Sequence, residues 1–515
     1  MLASQAGPEV TSGSRTRLAL GALLVVAFLL RAILVWNGGQ GYWPDEVRYL
    51  RSWQLFANLS ERNLWEALRT LHASTDHLGF TVVGLALVVP QAVAMAFGPP
   101  PVLHSAAGAT IWVPALALSL ASVASIGLVF ALARRAGSGA GEALAAAFLA
   151  ACTSSLFYYS RHLLPYDIAL CANLLALWLG MQRAGGSRRS FATGLVAGGG
   201  FLVYYGAWLG SAVASSVHVL AAGTLRQAVP RALLCAAGLA FWPLLFSALT
   251  WPVAGPPLLV EMTRFSELAR TQSDLSEGWS LPFAYLWHAE HGLLVVFGIG
   301  ALGVGWGLWR RKEEAWRRGA FWLGLAISVY AAQLLLSNGL GRIGVFGRHV
   351  RQALPFLCLA TAAAASPLFR RWGRAPRLAA CVLLAVQAAW NFATPLAQIF
   401  PDRFALAAQA RFGTLRPELS LRGPRRSRPA FPVALDEPRI AWDDGATHVL
   451  LNAQHLYPVL GSAPTPSGRV LARASHPLAY RPYQYEGYVP SERALLRSAD
   501  ISMRVVELDS APRSR

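Results

Sequence analysis

The sequence predicts an all-α polytopic membrane protein with about 11–13 transmembrane helices. Amphipathic helices on the outer face and a small carboxyl-terminal α/β domain outside the membrane complete the expected architecture. Three observations predict it. Hydrophobic residues fill 55% of the 515 positions and charged residues only 14%, too little charge to cover a soluble protein of this length. Apolar runs of about 17–25 residues, the length a helix needs to cross hydrocarbon, recur up to about residue 400. The formal net charge of +19 falls in short arginine clusters between those runs, as in cytoplasmic membrane loops. The expected partner of this basic chain is therefore the bilayer and not a nucleic acid.

The first run, Leu18 to Trp36, lacks a small-residue cleavage site after it and reads as a retained anchor. Further spans are expected at 106–133, 142–160, 167–182, 190–208, 209–225, 232–252, 288–309, 319–337, 352–369 and 378–396. The loops order them. Arg134-Arg135, then Arg183, Arg188 and Arg189, then Arg226 and Arg231, then Arg310, Arg311, Lys312, Arg317 and Arg318, then Arg370, Arg371, Arg374 and Arg377 lie in alternate loops, which marks one cytoplasmic face. Arg15 and Arg17 put the amino terminus there too. The run Leu78–Gly98 breaks this parity, so it is expected to be re-entrant or interfacial, which irregular backbone tolerates where it lines a protein cavity. The mixed segment Val47–Leu71 before it reads as interfacial helices within a long first outer loop, 37–105.

All five cysteines lie inside apolar runs, so no disulfide framework is implied. Residues 1–400 form the expected membrane domain and 401–515 a periplasmic or extracellular one, after a loose linker at Gly413–Pro432. β-like runs are expected there at Thr447–Leu451, Arg469–Leu471 and Met503–Leu508. No repeat of fixed period is visible.

The chemistry is expected on the outer face. Asp45 and Glu46 follow the first span directly, Asp167 lies in the next short outer loop, and Arg342, Arg348 and Arg351 break the positive-inside trend on the same side. Acids persist beside hydrocarbon when they serve a purpose, and arginines on that face call for an anion such as a phosphate. Plainer readings exist for each. Pro44-Asp45-Glu46 has the composition of a helix start, Arg31 of a snorkelling side chain, and Asp167 of a first-turn acid. Arg348 and Arg351 suit ordinary headgroups, and Tyr204-Tyr205 with Trp208 suit interface aromatics. His77 stands alone, and His288 with His291 lacks a third ligand at a suitable spacing, so no metal site is indicated.

These motifs together resemble the GT-C superfamily of membrane glycosyltransferases, in the family 39-type branch of protein O-mannosyltransferases and lipid A aminoarabinose transferases. The matching features are Arg31 late in the first span, Asp45-Glu46 after it, and Tyr159-Ser160-Arg161 followed by Asp167. Arg348-His349-Val350-Arg351-Gln352-Ala353-Leu354-Pro355 is similar to the start of a late family span. The likeness covers about residues 15–370. It departs at Asp76-His77-Leu78-Gly79, where the family often has His-Pro-Pro-Leu, and in lacking an outer-face lysine, because Lys312 is the sole lysine.

The resemblance implies an inverting transfer of a sugar from a polyprenyl phosphate to a lipid, protein or polysaccharide acceptor, at the outer face of a bacterial plasma membrane. Asp45 would be the base, with Glu46 beside it and Asp167 a second acid of the site. Arg31, Arg161, Arg342, Arg348, Arg351 and His77 would serve substrate and phosphate. No cofactor is required beyond the lipid-linked co-substrate, and a divalent metal is compatible but not indicated. The alternatives are a transporter or flippase of lipid-linked glycans, an O-antigen polymerase- or ligase-like enzyme, and a non-catalytic assembly subunit. A transporter should carry its polar residues at mid-bilayer on broken helices in two related halves.

Overall fold

The computed structural model describes residues 13–40, 44–74, 77–97, 111–182, 186–253, 279–310, 314–341 and 346–398 of the helical part. Beyond these it describes 421–422, 439–440, 448–451, 468–475, 480, 502–508 and a few isolated positions. The chain is an all-α polytopic membrane protein with a small carboxyl-terminal sheet.

Seventeen α-helices precede the strands in the described residues, besides short 3-10 and π turns. In order they are α1 (Gly13–Trp36), α2 (Val47–Ser60), α3 (Leu64–Ala73), α4 (Leu78–Phe97), α5 (Trp112–Arg135), α6 (Ala140–Cys152) and α7 (Ser154–Phe157). Then come α8 (Tyr166–Gly180), α9 (Ser187–Val203), α10 (Trp208–Leu220), α11 (Leu225–Thr250), α12 (Leu281–Glu290) and α13 (Gly292–Arg310). The last are α14 (Glu314–Leu334), α15 (Gly347–Val350), α16 (Leu354–Arg371) and α17 (Arg374–Leu396).

In the described residues each run expected to span is mostly helical, with breaks at Thr153, Tyr204, 221–224 and His291, because an apolar segment in lipid must satisfy its backbone within itself. Among the described residues, seven helices are long and apolar enough to cross a membrane, and eight if the bent pair α6–α7 counts as one. The expected number is larger because α8, α9 and α10 are shorter, at 15, 17 and 13 residues, and α16, at 18, is not among the seven.

α1 shows how these helices are built. Ala27, Arg31 and Leu34, spaced i, i+4 and i+7, are buried on one face, while Val25, Val26, Leu29 and Ile33 are exposed. Exposed apolar side chains on a span face lipid, and the polar one turns inward. Arg31 therefore does not snorkel. α1 runs antiparallel to α5, with Arg31 against Ser122 and Leu24 against Gly127.

This pairing gives the bundle two distinguishable ends. At one, Arg318 makes two contacts to Glu142, at 2.9 and 3.3 Å, and Arg135 lies over the Trp178 ring. His218 bridges Gly180 and Ser190, and its carbonyl accepts from Arg231. The described residues of the arginine loops, 134–142, 180–182, 186–190, 220–231 and 314–318, thus gather together, as their alternation in sequence requires. The opposite end carries the acids Asp45 and Glu46.

α4 is one continuous helix of 20 residues through Pro90, long and apolar enough to cross by length and composition. It starts at the acidic end, and Leu87 and Val88 share an apolar core with Ala115 and Leu118 in the first turns of α5. α9 and α11 cross where side chains are smallest. A Cβ on Gly194 would overlap the Cys235 carbonyl oxygen, and one on Gly238 the Phe191 carbonyl oxygen, so the backbones touch as small-residue crossings allow.

The three expected β-like runs are strands. β1 (Leu421–Arg422) pairs with β2 (Arg439–Ile440). β3 (His448–Leu451), β4 (Gly468–Ser475) and β5 (Ser502–Leu508) form an antiparallel sheet of order β3-β5-β4. The register sets His448 and Arg469 on either side of Glu507, with an irregularity between Val470 and Ala472. Met503, Val505 and Val506 of the central strand are buried.

Candidate active site

The acidic end is assembled from the exit of α1. Gly38 and Gly39 take φ of 88° and 101°, a left-handed turn that suits glycine, and Gln40 closes it by donating to the Val35 carbonyl. Arg161 fixes the turn from below, donating to Gly38 O through Nε at 3.2 Å and Nη2 at 3.0 Å, and to Pro395 O at 3.3 Å. It is fully buried. Arg161 thus clamps the exit of α1 to α17, with its guanidinium over the Tyr158 ring.

The turn Pro44–Glu46 leads into α2, as the composition of a helix start suggests. Its two acids part company. Glu46 is buried and accepts the main-chain N–H of Leu163 at 2.5 Å, with His162 Nδ1 3.6 Å away. Asp45 keeps 24% of its side chain exposed; it pairs with Arg48 at 3.1 Å and accepts from the Tyr166 hydroxyl at 3.3 Å. Burial raises the Asp45 pKa, but Arg48, then Arg348, His77 and the Tyr166 hydrogen bond outweigh it and hold the carboxyl below its ordinary value. Asp45 is ionised at neutral pH.

Aromatic rings wall this carboxylate. Tyr166 lies 4.7 Å from Tyr204 between centroids, Tyr204 lies 5.8 Å from His77, and His77 stacks on Tyr205 at 6.3 Å. Arg348 Nε donates to the Tyr204 hydroxyl at 3.1 Å, and its guanidinium lies over Phe346 and Tyr166. His349 Nε2 is 2.8 Å from the same hydroxyl, and His77 Nε2 is 3.2 Å from Arg48. Asp45, His77 and Arg348 therefore meet, although 32 and 303 positions separate Asp45 from the other two.

Asp167, one residue past Tyr166 on α8, points the other way. It forms a buried ion pair with Arg351, whose guanidinium also lies over the Tyr159 ring at 5.2 Å. Arg31 lies beside this pair, donating to Ser122 Oγ at 2.9 Å and Ala27 O at 3.0 Å. Arg31 Nη2 and Arg351 Nε and Nη1 have no hydrogen-bond partner. The predicted site residues thus fall into two layers: an open one around Asp45 and a closed one around Asp167. Arg342 lies outside the described residues.

Sequence reasoning missed several neighbours. Tyr204 and Tyr205 look like interface aromatics but wall the site, and Tyr166 was only the residue before an acid. Glu290, between His288 and His291, is fully buried and accepts from Ser154 N at 2.7 Å and Ser155 N at 2.8 Å. Among the described residues no group of three or more His, Cys, Asp or Glu side chains is placed to hold a metal ion.

The open layer offers an ionised carboxylate that can take a proton and, facing it, a partly exposed guanidinium that can hold an anion. No protein-family model and no curated protein matches the chain. Among solved structures it is similar to the oligosaccharyltransferase of Archaeoglobus fulgidus in the apo form, at 12% identity and a TM-score of 0.41 over 73% of this chain. The match spans 55% of that chain's length. A likeness of this depth carries no activity over to the present chain.

Proposed function

We propose that the chain is a membrane glycosyltransferase. It would move a sugar from a polyprenyl phosphate to a hydroxyl of a lipid, protein or polysaccharide acceptor. The acidic end would face the periplasm or exterior of a bacterial plasma membrane, with residues 401–515 on that side. The observation that carries this reading is an ionised, partly exposed Asp45 bonded to the Tyr166 hydroxyl, with the Arg348 guanidinium over the same Tyr166 ring and bonded to the Tyr204 hydroxyl.

In the step, the acceptor oxygen forms a bond to the anomeric carbon from the face opposite the phosphate. The bond from that carbon to the phosphate oxygen breaks, and its electron pair stays on the phosphate. Asp45 takes the acceptor's proton as the oxocarbenium-like centre develops. Arg348 offsets the charge gained by the leaving phosphate. The two are coupled. A phosphate against Arg348 cancels part of the field that depresses Asp45, so donor binding makes the base stronger. Tyr166 and Tyr204 offer apolar faces on which a sugar ring can lie.

A transporter reading draws on the buried charges Arg31, Asp167, Arg351 and Glu290 beside the broken span α6–α7. The two readings separate on Asp45→Asn in a host whose envelope glycans are profiled. The enzyme reading predicts loss of one glycan modification at normal protein abundance. An unchanged profile, where the wild-type protein is needed for that modification, refutes it.

A further inference from the structure

The break between α6 and α7 bends the chain by 72° at Thr153, and a bend exposes main-chain N–H groups that the helix no longer pairs. Two of these are taken by Glu290, which accepts from Ser154 N and Ser155 N. The Ser154 hydroxyl lies 3.0 Å from the hydroxyl of Tyr480. Tyr480 belongs to the carboxyl-terminal part, lies between β4 and β5 in sequence, and is 4% exposed. Its ring stacks on Tyr158 at 5.2 Å with 29° between planes. Tyr480 thus enters the helical bundle.

The segment so gripped is the one that reaches the site. Tyr158 packs edge-on against Tyr159 at 5.4 Å, and Tyr159 edge-on against Tyr166 at 5.4 Å. Tyr166 donates to Asp45, and Leu163 N donates to Glu46. From the other side α5 holds the same segment, with Ser122 donating to Leu156 O and Ser119 to Ser160 O. α5 and Glu290 grip it from within the bundle, whereas Tyr480 grips it from the far end of the chain.

We propose that Tyr480 is a positioning residue for Asp45, docking the carboxyl-terminal part onto the bent span so that Tyr158, Tyr159 and Tyr166 hold the carboxylate in register. The assignment rests on Asp45 as the centre of the site, but not on the reaction assigned to it. Removing the Tyr480 ring frees the bend, loosens Tyr166 and returns Asp45 towards an ordinary carboxyl, because a hydrogen bond to its charged form is lost.

The test compares full-length wild type, Tyr480→Ala and Tyr480→Phe in lipid nanodiscs, with two readouts that need no turnover. Amide exchange is followed at 154–166, and the ionisation of Asp45 is followed through the pH dependence of carbodiimide labelling. In Tyr480→Ala, exchange at 154–166 should rise about tenfold or more while α9 and α11 keep wild-type protection, and the labelling midpoint of Asp45 should move up in pH. Tyr480→Phe, which keeps the stacked ring, should show smaller changes of the same sign. Unchanged exchange in Tyr480→Ala overturns the proposal, as does faster exchange with an unmoved Asp45 midpoint. If both readouts respond while Asp45→Asn leaves the glycan profile intact, the glycosyltransferase reading fails and the positioning role stands.

Discussion

Glu46 and Leu163 tie the first loop of the chain to the far side of the bent span: the Glu46 carboxylate accepts the Leu163 main-chain N–H at 2.5 Å. Asp45, its neighbour, is thereby left to face Tyr166, Arg48 and Arg348. Two adjacent acids share one turn and have opposite duties. One is buried and holds backbone, and the other is partly exposed and free to meet a substrate.

Glu46→Ala should cost about 1–3 kcal/mol of stability, since the Leu163 N–H would be left buried and unpaired. Glu46→Gln keeps an acceptor oxygen and should cost less. Thermal unfolding in detergent checks the order, and equal melting temperatures for the two variants would contradict it.

Asp45 carries a sign prediction for pH. Its folded pKa lies below the ordinary carboxyl value, so its contribution to stability is complete above the unfolded value of about 3.9. That contribution is lost only as pH falls through the lower folded value. Among the charges that lower it, Arg48 acts most strongly and Arg348 next. The acid limb of kcat/KM should therefore move up in pH in Arg348→Gln and further in Arg48→Gln. A downward shift in either would refute the charge assignment.

Asp167→Asn should be far more damaging to folding than Glu46→Gln. It leaves the buried Arg351 guanidinium with an uncompensated charge, at a cost of about 3–5 kcal/mol. Asp167→Leu combined with Arg351→Met removes both charges and should be less destabilised than Asp167→Asn alone. Protein abundance and melting temperature in membranes test this. A double variant worse than the single one would mean that the pair is needed for more than mutual neutralisation.

The crossing of α9 and α11 has no room to spare. Gly194→Val should cost about 1–3 kcal/mol or more, because the added atoms meet the Cys235 carbonyl and not a movable side chain. Gly141→Ala, where a Cβ meets nothing within 4 Å, is the control and should leave the melting temperature within experimental scatter.

The helices were legible because span length is a one-dimensional signal: Leu18–Trp36 or 378–396 declares itself without any knowledge of neighbours. The strands at His448–Leu451 and Ser502–Leu508 were legible for the same local reason. Asp45 stood out because an acid directly after an apolar run is costly. What the sequence concealed was pairing. Arg351 meets Asp167 across 184 positions and Tyr480 meets Ser154 across 326, and nothing local separates those partners from other arginines and tyrosines. Orientation was concealed as well. Tyr166 and Asp167 are adjacent, yet helical geometry sends one to the open layer and the other to the closed one.

The most direct test of the account is the rate of sugar transfer by Asp45→Asn against wild type, reconstituted in proteoliposomes with a labelled polyprenyl-phosphate hexose and a supplied acceptor. Asparagine keeps the size of the side chain and its bond to Tyr166 but cannot take a proton. The account predicts transfer slower by about 10²–10⁴-fold with donor binding retained. Transfer by Asp45→Asn at the wild-type rate would contradict it.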